Sequence, residues 1–299
     1  MNHRVPALSR VVRTALGWLT LFAACRGADM IPSSTVCPLE RPELESVGFF
    51  PRPDDPGYRA APGAEDHLFS LGDGTILRLR LYWALPKDPV ILYFHGNGET
   101  ARDYDDQARL YQALPSTLAV ADYRGYGLST GKPTWKTLLP DATYLLMELQ
   151  KVLAIRGFAG PVLVMGRSLG SAPAIHLASQ PELQLAGLIV ESGFAAMVPL
   201  LELMGVPARR LGVTEEMGPA NLEKMRRVNR PTLILHAEQD DLIPIRDAEL
   251  LYEVSPDVGK ELLRVPFAGH NDILARAGRT YHQAIARLLR RGEEAHVGR

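Results

Sequence analysis

Short apolar runs alternate along this chain with stretches whose apolar positions repeat at helical spacing. The pattern opens with a predicted hairpin. Its arms are His67 to Leu71 and Ile76 to Ala84, and Asp73-Gly74 supplies the tight turn. Five buried strands follow, at Pro89 to Phe94, Thr117 to Asp122, Pro161 to Met165, Leu185 to Val190 and Thr232 to His236. A last strand is read at Glu261 to Val265. Between them the spacing predicts helices over Thr100 to Leu114, Trp135 to Ile155, Leu169 to Ser179 and Asp247 to Val254, with a closing helix at Thr280 to Arg291. In the long helix, Leu138, Leu139, Ala142, Leu145 and Leu146 share one face. Residues 193–229 read as mixed and helical, and 292–299 as a polar, frayed tail. Alternating strands and helices imply an α/β fold with a mostly parallel sheet of about eight strands covered on both faces. Ligands then sit beyond the carboxyl ends of the strands, so reactive side chains should fall just after strands.

The segment before this domain has a different character. Arg4, Arg10 and Arg13 form a basic start, and an apolar run from Ala15 to Ala24 ends at Cys25. That run is too short to cross a bilayer as a helix. It fits a secretory signal over 1–25, in which Ala23-Ala24-Cys25 resembles the end of a bacterial lipoprotein signal. Cys25 is then the candidate lipidation site. The chain is expected to be exported or membrane-anchored, or cytoplasmic if translation starts at Met30. Residues 26–66 are rich in proline and read as an extended arm or linker over the surface. The alternating strand and helix pattern itself spans 67–291.

Composition narrows the chemistry. The chain is 46% hydrophobic with a formal net charge of −1, a globular balance that gives no electrostatic reason to expect nucleic-acid binding. Its two cysteines, Cys25 and Cys37, precede the domain, so no disulfide framework or cysteine metal site is expected in the core. No His-x-x-x-His pair occurs, which argues against a zinc hydrolase.

Gly-x-Ser-x-Gly occurs twice, as Gly127-Leu128-Ser129-Thr130-Gly131 and Gly166-Arg167-Ser168-Leu169-Gly170. A nucleophile elbow needs a buried strand turning directly into a helix, with small neighbours around the strained serine. Val162-Leu163-Val164-Met165 precedes Ser168, and Gly170-Ser171-Ala172 opens a helix after it. Ser129 sits instead in turn chemistry, between Arg124-Gly125-Tyr126 and Lys132-Pro133. Ser168 is therefore the candidate nucleophile and Ser129 an ordinary loop serine.

A serine hydroxyl needs a base, and the base an orienting acid. In α/β-hydrolases the chain order is serine, acid, histidine. His270 follows the last strand, whereas His282 and His296 lie in the closing helix and tail, and His236 precedes the acid. Asp240 and Asp241 compete for the acid position after Thr232 to His236. Backbone donors for the oxyanion are expected at Leu169 and in His95-Gly96-Asn97-Gly98, with the Asn97 N–H favoured. Because only that N–H is used, the Asn97 side chain is expected to be dispensable. His95 reads as a brace for the loop.

Four ordered segments now resemble one family: His95-Gly96-Asn97-Gly98, Asp122-Tyr123-Arg124-Gly125-Tyr126-Gly127, Gly166-Arg167-Ser168-Leu169-Gly170 and Gly269-His270-Asn271-Asp272. Together they are similar to the α/β-hydrolase-domain proteins labelled serine aminopeptidase-like, over roughly residues 67 to 291. The stretch His236 to Pro244 resembles that family's His-Gly-x-x-Asp-x-x-Val-Pro turn, with Ala237 in place of glycine, and this registers the acid on Asp240. Asn221-Leu222-Glu223-Lys224 resembles the stretch before the family's acid strand, which makes 193–229 a small cap. The family label implies neither peptidase activity nor a particular substrate; the favoured mechanism is ester or thioester hydrolysis through an acyl-serine, with no cofactor and a small-molecule or lipid-like acyl substrate. A peptidase or amidase with the same triad is the first rival. A binding module retained on a hydrolase fold is the second, and an incomplete triad would be its mark.

Overall fold

The computed structural model describes residues 38–55 and 57–297. The expected signal segment over 1–25, with Cys25, and Cys37 lie outside the described residues. One sheet of eight strands organises the chain: β1 (Ala64–Ser70), β2 (Ile76–Tyr82), β3 (Val90–Phe94), β4 (Thr117–Ala121), β5 (Val162–Arg167), β6 (Gly187–Glu191), β7 (Thr232–Ala237) and β8 (Glu261–Val265). Their spatial order is β1-β2-β4-β3-β5-β6-β7-β8. The hairpin β1–β2 pairs antiparallel within itself and against β4, while all pairings from β4 to β8 are parallel.

The central strands are apolar at nearly every position because both faces are covered. Alternate residues feed two cores. Leu92, Val164, Leu188 and Ile234 face one layer, built largely from the helix Trp135–Ile155 (Leu138, Leu145, Leu149) and the helix Ser171–Ala178. Ile91, Leu163, Ile189 and Leu233 face the other, where Tyr111, Tyr281, Ile285 and Leu288 close over the sheet.

Three sequence expectations are corrected. The proline-rich arm is not a loose linker over 38–50. A seven-residue helix, Pro42–Gly48, starts on proline, and Leu39, Leu44 and Phe49 are buried in the core. Phe49 packs on Trp135 with ring centroids 4.9 Å apart, and Pro53 bridges to Gly127. The helix expected over Thr100 to Leu114 is broken into a 3-10 turn, Ala101–Tyr104, and a short helix, Ala108–Gln112. Thr100 and Asp103 form a capping box, and Asp105 turns inward to Arg80 and Tyr82 instead of continuing a surface helix. The last helix, Arg279–Val297, runs past 291 into the supposed tail.

The segment 193–229, expected to be a small cap, holds the short pieces Met197–Leu203, Glu215–Met217 and Asn221–Met225. Among the described residues no helix is long and apolar enough to cross a membrane.

Candidate active site

Gly166 and Gly170 show why the elbow has its sequence. A Cβ on Gly166 would lie 2.0 Å from the Gly170 carbonyl oxygen, and one on Gly170 would lie 2.0 Å from that of Phe94. Only hydrogen fits at either place. Between them Ser168 takes the left-handed region at φ 52°, a strained conformation for a serine. The turn lifts its hydroxyl above the end of β5, and the next helix begins at once.

The structure brings Ser168, His270 and Asp240 together. His270 Nε2 lies 3.0 Å from Ser168 Oγ, and its Nδ1 lies 2.7 Å from Asp240 Oδ2. All three are buried. Asp240 Oδ1 accepts the N–H groups of Leu242 (3.0 Å) and Ile243 (2.8 Å). Burial raises the cost of its charge, but the hydrogen bond and charge of His270, with the Ile243 N–H, outweigh this and hold its carboxyl below the usual 3.8. His236 sits behind it, its Nε2 on the Ile243 carbonyl at 2.8 Å, and burial lowers its pKa. Asp241 is exposed.

Ser129 has a different task. Its hydroxyl donates to the Asp122 carbonyl at 3.0 Å and accepts the Arg78 N–H at 2.9 Å. It ties β2 to the turn after β4. Here the motif needs glycine because a Cβ on Gly127 would strike Asp122 and Arg78, a buried ion pair between β2 and the turn after β4.

Asn97 and Leu169 lie on adjacent turns, since Phe94 of β3 is the register partner of Gly166 in β5. The Asn97 side chain is not idle, which corrects the expectation above. Its Oδ1 accepts the Phe50 N–H at 2.8 Å and the Tyr126 hydroxyl at 2.6 Å, and its Nδ2 donates to the Gly48 carbonyl at 3.2 Å. The loop is thereby tied to the N-terminal arm. His95 is fully buried, with Nδ1 donating to the Gly96 carbonyl at 2.8 Å and Nε2 facing Asp122 at 3.2 Å.

Sequence reasoning missed the charges beneath the site. Arg167, Glu99 and Glu191 form a cluster around the elbow, with Arg167 and Glu191 register partners on β5 and β6. Burial disfavours the Glu99 charge, but Arg167 and the Tyr104 hydroxyl overcome it and keep its pKa low. Glu191 goes the other way: burial raises its pKa despite Arg167 and the Tyr281 hydroxyl. The only signal in the sequence was an arginine in the variable position before the serine.

The fold, the elbow and the relatives define one class: the chain belongs to the α/β-hydrolase superfamily. A family profile described as serine aminopeptidase, S33, matches residues 86–220. Protein bem46 of Schizosaccharomyces pombe is 30% identical over 206 residues, covering 67% of each chain. Alpha/beta hydrolase domain-containing protein 17B of Homo sapiens is 31% identical over 205 residues, 67% of this chain and 64% of that one. The similarity to alpha/beta hydrolase domain-containing protein aho-3 of Caenorhabditis elegans, at 35% identity, spans 51% of this chain and only 43% of the nematode protein. Among solved structures, the Pyrococcus furiosus esterase Pf2001 superposes with a TM-score of 0.62 at 16% identity, over 76% of this chain and 92% of its own. That likeness is one of fold.

Proposed function

We propose that this enzyme hydrolyses carboxylic esters or thioesters through an acyl-serine intermediate. The observation that carries the reading is the continuous chain Ser168–His270–Asp240, at 3.0 and 2.7 Å, on a left-handed elbow. His270 Nε2 takes the Ser168 proton as Oγ attacks the substrate carbonyl carbon. The N–H groups of Asn97 and Leu169 hold the oxyanion. Collapse breaks the bond to the leaving alcohol or thiol, which takes the proton back from the imidazolium. Water, deprotonated by His270, then releases the acid and restores the serine. Asp240 keeps His270 in the tautomer with its proton on Nδ1 and stabilises the cation.

An apolar acyl substrate suits the surroundings of these loops. Phe50, whose backbone is bonded to Asn97, is half exposed, and Phe267, three residues before His270, is 73% exposed. Treatment of the purified chain with a fluorophosphonate probe should label Ser168. Turnover of p-nitrophenyl esters should exceed that of aminoacyl p-nitroanilides. Faster anilide cleavage would move the reading to a peptidase, and an unlabelled Ser168 would remove the acyl-serine route.

A further inference from the structure

Arg167 is buried immediately before the nucleophile, and its guanidinium reaches three other segments. Nη1 donates to Glu99, whose other oxygen accepts the Gly96 N–H at 2.8 Å in the turn that carries Asn97. Nη2 donates at 2.9 Å both to the carbonyl of His270 and to Oδ1 of Asn271. Nε faces Glu191 at the end of β6 at 3.3 Å. Gly96 leaves room for this: a Cβ there would lie 2.6 Å from Nη1.

The arrangement answers a geometric difficulty. The loop bearing His270 follows β8, three strands from β5. At roughly 4.8 Å per strand that is roughly 14 Å from the elbow. The base must nevertheless stay within hydrogen-bond reach of Ser168, while the oxyanion donors on the other side keep their own register. A planar guanidinium with five fixed donors can hold both sides at once, which a single ammonium cannot.

Building on the acyl-serine reading, we propose that Arg167 is a positioning residue that locks the oxyanion loop and the base loop against the nucleophile elbow, so that the two loops act as one unit. Glu99 and Asn271, on opposite sides, communicate through it.

The test uses the purified full chain and p-nitrophenyl butyrate, with kcat divided by the fraction of Ser168 that a fluorophosphonate labels to completion. Arg167→Lys should lower kcat per labelled serine by about 10²-fold with KM changed less than about 3-fold, the pattern of misplaced catalytic groups. A role confined to folding would reduce the labelled fraction and the unfolding temperature while leaving kcat per labelled serine at the parent value, and would overturn the proposal. Because Arg167 variants risk instability, Glu99→Gln, Asn271→Ala and their combination give a second measure. The double variant should fall short of the product of the single losses by more than about 3-fold, since either change already releases the clamp. Losses that multiply would overturn the coupling. An unlabelled parent would remove the acyl-serine reading together with this one, whereas a labelled parent with parent-like variants would remove the positioning role alone.

Discussion

Asp240 divides its carboxylate between two tasks, giving Oδ2 to His270 and Oδ1 to the turn at Leu242 and Ile243. Asp240→Asn can keep the turn, because the amide oxygen still accepts those N–H groups. The amide nitrogen then faces His270 Nδ1 and favours the tautomer with its proton on Nε2, where it cannot accept from Ser168. The expected result is a loss in kcat of roughly 10⁴-fold with little change in unfolding temperature. Asp241→Asn should stay within about 2-fold of the parent, since an exposed surface charge is worth little. Steady-state rates of both variants in one assay decide the register.

The two Gly-x-Ser-x-Gly motifs should separate by what is lost. Ser168→Ala should lower kcat by about 10⁴- to 10⁶-fold and leave the unfolding free energy near that of the parent. Ser129→Ala should do the reverse. It leaves the buried Arg78 N–H without its acceptor, so stability should fall by about 1–3 kcal/mol while kcat stays within about 3-fold. Urea unfolding and ester turnover on the same preparations make the comparison. An inactive but stable Ser129→Ala would contradict it.

Asn97→Ala should now be costly. The change removes the acceptor of Phe50 and Tyr126 and the donor to Gly48, so the turn carrying the Asn97 N–H loses its anchor. A fall in kcat of about 10-fold is expected, with KM less affected. Tyr126→Phe, which removes one of these bonds, should show a smaller loss in the same direction. Parent-like rates in Asn97→Ala would restore the view that the backbone alone matters.

Lys224, in the helix Asn221–Met225, donates to the Pro219 carbonyl at 2.7 Å. Burial, with Arg227 nearby, lowers its pKa from 10.5 to about 8. The folded chain therefore holds this proton less tightly than the unfolded chain. Below about pH 8 both states carry it and the penalty is full. Between about 8 and 10.5 the folded state has released a proton that the unfolded state retains, so stability rises with pH across that window. The parent's unfolding free energy should gain on that of Lys224→Met by on the order of 1 kcal/mol between those limits, after solvent screening. Urea titrations at pH 7.5 and 10.5 measure the difference, and a constant gap would show that Lys224 is not depressed in the fold.

The sequence was most legible where burial is two-sided. The run at Glu261 to Val265, on the half-exposed edge of the sheet, is the observed β8, and the largely buried strands β3 to β7 start and end within two residues of their expected limits. Such runs carry their own signal, because water is excluded from both faces. The placing of Ser168 and Asp240 just after β5 and β7 was legible for the same reason, and that of His270 from its order after the last strand. The arm was not, because its proline content resembles a linker while its contacts, Leu39, Leu44 and Phe49, are set by distant partners such as Trp135. Nor was the Arg167 cluster, in which Glu99 and Arg167 alone stand 68 positions apart in the chain and carry no local periodicity.

The tie between the arm and Asn97 has a mechanical side. Gly48 and Phe50 grip the oxyanion loop through their main-chain groups, so no side-chain change in the arm can abolish that grip directly. A pulling force on the chain ahead of Leu39 would first draw Leu39 and Leu44 from the core and then load these bonds. Displacement of the turn carrying Asn97 would come before rupture of the sheet, and the proposed acyl-serine route would lose its oxyanion donor while the sheet is still folded.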